Sequence, residues 1–276
     1  MRSKQLRLVC WNLAGWVNKT DEQVEALISR QPSTICLQEV RSKAVEPITR
    51  KLQAAGYRYF HDTVCDAVKN NRSKGNMVVS IYPFEHLPEY IVVPFTESVV
   101  SVNVETPHGK IKIHNAHIPN GSSYSWKKIE TFEAIFKTLS SEDDNLRILC
   151  GDFNSPQAEL PNGETVTWGQ RLSRNNEVFL IRNNLRWHQG ELSVIRELAD
   201  HNLADVFRQL HGYGLEEYSY LVRRKGEIVS RRRFDHVFAS QELRPQTCVY
   251  LHQFREVGLS DHSPIEVLFS PGTKNT

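Results

Sequence analysis

The apolar residues of this chain fall into short runs separated by polar punctuation, and the lengths of the runs are those of strands. Leu6 to Trp11, Thr34 to Gln38, Tyr57 to His61, Met77 to Ile81, Glu89 to Val93, Ile148 to Cys150 and Ser263 to Phe269 each predict one. Ser98 to Glu105 and Lys110 to Asn115 alternate about Pro107, His108 and Gly109, the pattern of a hairpin. Tyr218 to Val222 and Arg233 to Ala239 predict two more strands, enclosing Arg223, Arg224, Lys225, Arg231, Arg232 and Arg233.

Spacings of three and four mark helices between these runs. Thr20 is a candidate cap for a helix through Val24, Leu27 and Ile28 that Pro32 closes, and Val45 to Ala55 predicts a second. Ser125 to Leu139 carries Ile129, Phe132, Ile135, Phe136 and Leu139 on one face, and Glu177 to Arg186, Leu192 to Leu198 and Leu203 to Leu210 predict shorter helices. Asp66 to Asn76, with Lys69, Arg72 and Lys74, and Ala158 to Asn176, with Trp168 and Arg171, show no period and predict surface loops. Interleaved helices and strands imply an α/β sandwich, although periodicity does not settle the number of sheets. No repeat, low-complexity tract or linker interrupts residues 1–270, which predicts one domain, and residues 271–276 predict a disordered tail.

Composition narrows the picture. The 276 residues are 39% hydrophobic and 24% charged, ordinary globular values with enough chain to bury a core. A formal charge of only +2 gives a weak overall field, so a polyanion has to be met by a local basic patch. No run approaches the roughly 18 apolar residues of a membrane span. The five cysteines are odd in number and lack paired spacing, which predicts reduced, structural thiols in a cytoplasmic protein rather than a disulfide frame or a zinc site.

Chemistry enters at the ends of the strands. In Arg147 to Pro156 the apolar run stops at Gly151, and Asp152 and Asn154 follow two apart, so both point the same way off the sheet. The same design recurs. Leu6 to Trp11 ends in Asn12, Ile35 to Leu37 in Gln38 and Glu39, and Lys110 to Asn115 runs into His117, Pro119 and Asn120. Phe234 leads to Asp235 and His236, and Ser260 leads to Asp261 and His262. One such ending is a turn, but six imply a single rim where residues that bind metal or move protons converge.

Taken in order, Trp11-Asn12, Gln38-Glu39, His117 to Asn120, Gly151 to Asn154, Phe234 to His236 and Ser260 to His262 resemble the endonuclease/exonuclease/phosphatase superfamily. They are most similar to its exonuclease III and apurinic endonuclease branch, with features like deoxyribonuclease I. The resemblance implies a four-layer α/β sandwich, two packed mixed β-sheets flanked by helices, with the active site at the sheet edge. It departs from that branch at His117, where the branch has Tyr, at Arg232, where it has Trp, and at Ala14, where it has Asp or Asn. These departures speak against a preference for abasic sites.

The resemblance implies hydrolysis of phosphodiesters, an anion attacked by an anion, which needs positive charge on the phosphoryl oxygens and a stabilised leaving group. Glu39 is the expected main ligand of a hard cation, Mg²⁺ with Mn²⁺ as substitute, with Asn12 and Asp261 nearby. Asp152 is expected to orient or deprotonate the attacking water, with Asn154 holding that water or a phosphate oxygen. By the same resemblance His262 touches the phosphate and is oriented by Asp235, while His117 donates to the phosphate or protonates the leaving oxygen. Cations interleaved with aromatics suit a nucleic-acid backbone, which nominates Tyr220, Arg223, Arg224, Arg231, Arg232, Lys74 and Asn120 for binding. The expected protein is a monomeric nuclease acting on DNA in preference to RNA. The alternatives are a phosphatase or phosphodiesterase for a smaller ester, and a catalytically weak nucleic-acid-binding relative.

Overall fold

The computed structural model describes residues 5–141, 146–173, 175 and 177–270; the expected tail at 271–276 lies outside them. Two mixed six-stranded sheets pack face to face. The first runs Pro245–Tyr250, Ile265–Phe269, Leu6–Asn12, Thr34–Val40, Gly75–Ser80 and Tyr59–Asp62 from edge to edge. The second runs Ala204–Asp205, Asp235–Ala239, Leu146–Asp152, Gly109–His117, Val99–Thr106 and Phe84–His86.

Alternation along each strand decides which layer a side chain joins. Leu8, Cys10, Cys36 and Val78 of the first sheet meet Val102, Ile113, Ile148, Cys150 and Val237 of the second in the central core. Their neighbours Val9, Trp11, Ile35 and Leu37 point the other way, under the helices Thr20–Arg30 and Ser42–Ala54. On the far side Leu149, Phe153 and Phe238 pack against the helices Lys127–Leu139 and Leu185–Ile195. The order is helix, sheet, sheet, helix. Four of the five free thiols are buried and Cys65 is exposed, and no helix among the described residues is long and apolar enough to cross a membrane.

Several local expectations fail for identifiable reasons. Glu89 to Val93 is not a strand: Pro88 and Pro94 bracket it, Ile91 and Val93 are buried without joining a ladder, and the edge strand is Phe84–His86. Glu177 to Arg186 is not a helix. Val178–Leu180 pairs with Gln170–Leu172, Asn183 takes a left-handed turn at φ 66°, and the helix starts only at Leu185. The two expected loops hold structure of their own, a short helix Val64–Lys69 in one and the small ladder Ala158–Glu159 with Thr165–Val166 in the other. Thr20 is the first residue of its helix rather than its cap, and its hydroxyl bonds the Val17 carbonyl. Tyr220–Arg224 and Glu227–Arg232 form a separate hairpin about Lys225 and Gly226, both at positive φ, so its strands do not enclose the basic run as expected.

Candidate active site

Strand register assembles the core of the site. Gly109–His117 pairs in parallel with Leu146–Asp152, and Asp235–Ala239 runs antiparallel to the latter, so His117, Asp152 and Asp235 stand side by side in one row. The row requires Gly151: its φ is +145° and a Cβ there would collide with the Ala116 carbonyl on the neighbouring strand. In the facing sheet Asn12 lies opposite Gln38, and Glu39 follows where the ladder to Gly75–Ser80 shifts register. Buried amides bridge the sheets beneath the site. Gln38 Nε2 donates to Asn115 Oδ1 at 2.6 Å, and Asn115 Nδ2 donates to the Leu37 and Met77 carbonyls.

The loop bearing Asp261 and His262 is fastened to the end of the first strand. Ser260 Oγ donates to the Asn12 carbonyl at 2.6 Å, and Trp11 Nε1 donates to the His262 carbonyl at 3.0 Å. His262 is thereby brought to the row: its Nδ1 donates to Asp235 Oδ2 at 2.7 Å and its Nε2 lies 3.8 Å from Asp152 Oδ2. His117 Nε2 lies 3.8 Å from the same Asp152 oxygen and 3.7 Å from Glu39 Oε1. Lys74 pairs with the other Glu39 oxygen. Ala14, Glu39 and Asn154 all hold left-handed backbone at φ 57°, 58° and 50°, strain of the kind that sits at functional loops.

The charges are unevenly compensated. Burial would lower the His262 pKa, but Asp235 and Asp152 outweigh it and push it up to about 10, so the ring is an imidazolium at neutral pH. Asp152 is raised by burial, with Asp235 adding to the effect and the two histidines offsetting part of it. Asp261 is likewise raised by burial and then by Glu39. Glu39 goes the other way, since His117 and Lys74 outweigh its burial and hold its carboxyl below the usual range.

These features bear on where a divalent cation fits. Asp152, Asp235 and His262 bring ligand atoms within 4.8 Å of one another, but His262 Nδ1 is already bonded to Asp235 Oδ2 at 2.7 Å. Glu39 and Asp261 fit better, an ionised carboxylate beside one whose ionisation its neighbour opposes, which is the arrangement a hard cation relieves. Asn12, expected among the ligands, donates its Nδ2 to Asp152 at 2.9 Å and accepts the Ala14 N–H on its oxygen, which keeps a second lone pair.

All of this opens into one groove of about 920 Å³. Glu39, His117, Asp152, Asn154, Asp261 and His262 line it, with Lys74, Asn120 and Tyr220. Asn154 donates its amide to the Ile118 carbonyl, and Asn120 caps the short helix Gly121–Tyr124 through Ser122. The Tyr220 ring lies 4.8 Å from that of His262. Arg223, Arg224, Arg231 and Arg232 are not among the residues lining the groove, and the last two border a separate cavity instead.

Lys128, Glu191 and Trp187 are not marked by the sequence reading, and Lys128 and Trp187 line the groove, as does Arg72 of the expected basic loop. Lys128 had a signal: it is a lysine on the apolar stripe of its helix, one turn before Phe132, and its side chain is buried against Glu191 at 2.7 Å. Burial pushes its pKa down, with Glu191 opposing.

The sequence profile of the Endonuclease/Exonuclease/phosphatase family matches residues 9–262. No curated protein gives a sequence match. Among solved structures, an AP endonuclease from Archaeoglobus fulgidus superposes with a TM-score of 0.69 at 18% identity, over 96% of this chain and 99% of that one. The 3' phosphatase NExo from Neisseria, bound to a product DNA hairpin, gives 0.68 at 18% identity over 96% and 99%. The 3'-5' exonuclease NExo from Neisseria meningitidis gives 0.66 at 19% over the same shares. At these identities the likeness is one of fold.

Proposed function

The chain belongs to the endonuclease/exonuclease/phosphatase family, whose members hydrolyse phosphate esters, and from that premise we propose that it is a Mg²⁺-dependent nuclease that cuts phosphodiester bonds in DNA in preference to RNA. One observation carries the reading: His117, Asp152 and His262 line a single groove with Glu39, over the buried Asp235 that completes their row. Asp152, anchored by Asn12 and the Asn154 N–H, orients the attacking water and takes its proton. His262, locked by Asp235, offers its remaining N–H to a phosphoryl oxygen and stabilises the charge that grows there. His117 stands where it can donate to the phosphate or to the leaving oxygen, and the Asn154 carboxamide holds a water or phosphate oxygen. Glu39 and Asp261 would hold a divalent cation, Mg²⁺ or in its place Mn²⁺, which supplies positive charge to the phosphoryl group. Solved relatives in complex with DNA support nucleic acid as the partner. The free thiols support a reducing, cytoplasmic setting, and the proposed enzyme is a monomer.

A second reading, a phosphatase or diesterase for a smaller ester, is favoured by Arg223, Arg224 and Arg231 lying off the groove, where only Arg232 approaches it, over the Trp168 ring at 5.6 Å. One panel separates the two: labelled single-stranded, duplex, nicked and abasic DNA, RNA, and a small phosphate ester, each with Mg²⁺ and with EDTA. The nuclease reading expects DNA cleavage that EDTA abolishes and His262→Ala lowers by about 10²–10³-fold. Turnover of the small ester alone would replace it.

A further inference from the structure

We propose that the groove carries a stacking wall, formed by Trp168 and Trp187, for an unpaired base next to the scissile phosphate. The inference rests on the phosphodiesterase reading and names the form of nucleic acid the site takes.

Trp168 is 36% exposed at the groove, although an indole is among the side chains with most to gain from burial. Its exposure is not looseness. Its backbone N–H donates to Glu191 Oε2 at 2.8 Å and its Nε1 donates to the Asn154 carbonyl at 3.0 Å. Trp187 Nε1 donates to Glu191 Oε1 at 2.9 Å, and Lys128 Nζ reaches both Glu191, at 2.7 Å, and the Asn154 carbonyl, at 2.9 Å. Glu191 is fully buried and Lys128 nearly so. A buried ion pair is costly to desolvate and contributes little net stability, and this one ties two groove-lining indoles to the loop that carries Asp152 and Asn154. The aromatic wall therefore stands at a fixed distance from the candidate catalytic loop.

The groove is also lined by cations. Lys74 meets Glu39, and Arg72, held by Glu97 at 2.9 Å, lies over the Tyr124 ring at 4.8 Å. Cations for a phosphate backbone together with indoles for flat apolar rings match a chain with anionic and aromatic edges. Paired and stacked bases in a duplex hide their faces, so an indole can stack only on a base released from the helix. The occupant is thus a single strand or an unpaired end.

The test is binding by fluorescence anisotropy in EDTA, where nothing is cut. The probes are a labelled single-stranded octamer, its blunt duplex, and an octamer with the same backbone but no bases. The single strand should bind about tenfold more tightly than either of the others. Trp168→Ala should remove that advantage, and Trp168→Phe, which keeps a ring and loses the bond to Asn154, should retain most of it. Equal binding of the base-free chain overturns the proposal, as does a Trp168→Ala protein with the wild-type preference; should that variant not fold, the wild-type comparison of probes decides alone. Wild-type turnover of a small phosphodiester with Mg²⁺ would leave the phosphodiesterase reading standing if the stacking wall failed.

Discussion

Asp235 and His236 are consecutive residues of one strand and belong to two different clusters of buried charge. Asp235 turns to His262, which lines the groove, while His236 turns to Asp205, with Nδ1 3.0 Å from its Oδ2. In the second cluster Arg233 bonds Glu159 at 2.6 Å and Asp205 at 2.8 Å, and Arg208 bonds Glu159 at 2.8 Å. Burial works against both acids, yet the guanidinium groups win, holding Glu159 down to about 2 and Asp205 well below the usual carboxylate range. In the groove the outcome reverses, and Asp152 and Asp261 are pushed up. The same residue types, gathered on either side of one strand, thus serve two ends. One set is neutralised by its neighbours, and the other is left short of positive charge that a cation or a proton in transit would supply.

One substitution made in both clusters should separate them most sharply. Asp152→Asn should lower turnover by about 10²–10⁴-fold, the range for losing a positioned base, while stability stays within about 1 kcal/mol because ionised Asp152 is itself disfavoured by the fold. Asp205→Asn should do the opposite. It leaves Arg233 and His236 short of their partner and should cost about 3–5 kcal/mol in urea unfolding, with the activity of the folded fraction little changed. If Asp152→Asn were the destabilising member of the pair, the two clusters would not differ in kind.

The contrast extends to acid. Unfolded Glu159 takes up a proton near 4.5 but folded Glu159 only near 2, so between those values the unfolded chain holds more protons and stability falls as pH falls. The contribution is whole above about pH 4.5 and disappears toward pH 2. Glu159→Gln should therefore flatten the pH dependence of unfolding free energy across that window, by up to about 1.4 kcal/mol per pH unit. An unchanged slope would mean that the acid at 159 is not held by its arginines.

How much of this could be read from the chain follows from what each feature depends on. The strands that carry Asn12, Glu39 and Asp152 at or beside their ends, and the strand Ile265–Phe269 that follows His262, were legible because they are buried on both faces and so read as apolar runs. Their end residues could be named because the chemistry lies within two residues of the run. The cluster around Glu159 was not legible. Glu159 follows no apolar run, and its partners at 205, 208 and 233 are brought to it only by folding. The edge strand Pro245–Tyr250 was missed because it alternates, with Cys248 and Tyr250 inward, and starts on a proline. The aromatic wall was missed for the same reason as the second cluster. Trp168 and Trp187 are 19 residues apart and share only Glu191.

The smallest expected effect concerns the hairpin Tyr220–Arg224 and Glu227–Arg232, whose cations other than Arg232 lie outside the groove. Its base is tied to the site, since Tyr220 stacks on Phe234 at 5.6 Å and bridges His262. A nucleic-acid chain leaving the groove past Tyr220 would then run along the hairpin and meet Arg224, which is exposed. Each phosphate neutralised by such a cation contributes about 0.7 to the slope of log affinity against log salt for a single strand. Arg224→Ala should lower the slope by about that amount, with little change in turnover. Lys110→Ala is the control, because Lys110 begins the strand whose opposite end carries His117 and so lies away from the groove. If both variants kept the wild-type slope, bound nucleic acid would be confined to the groove, and the exposed hairpin cations Arg223, Arg224, Lys225 and Arg231 would be a solvated surface.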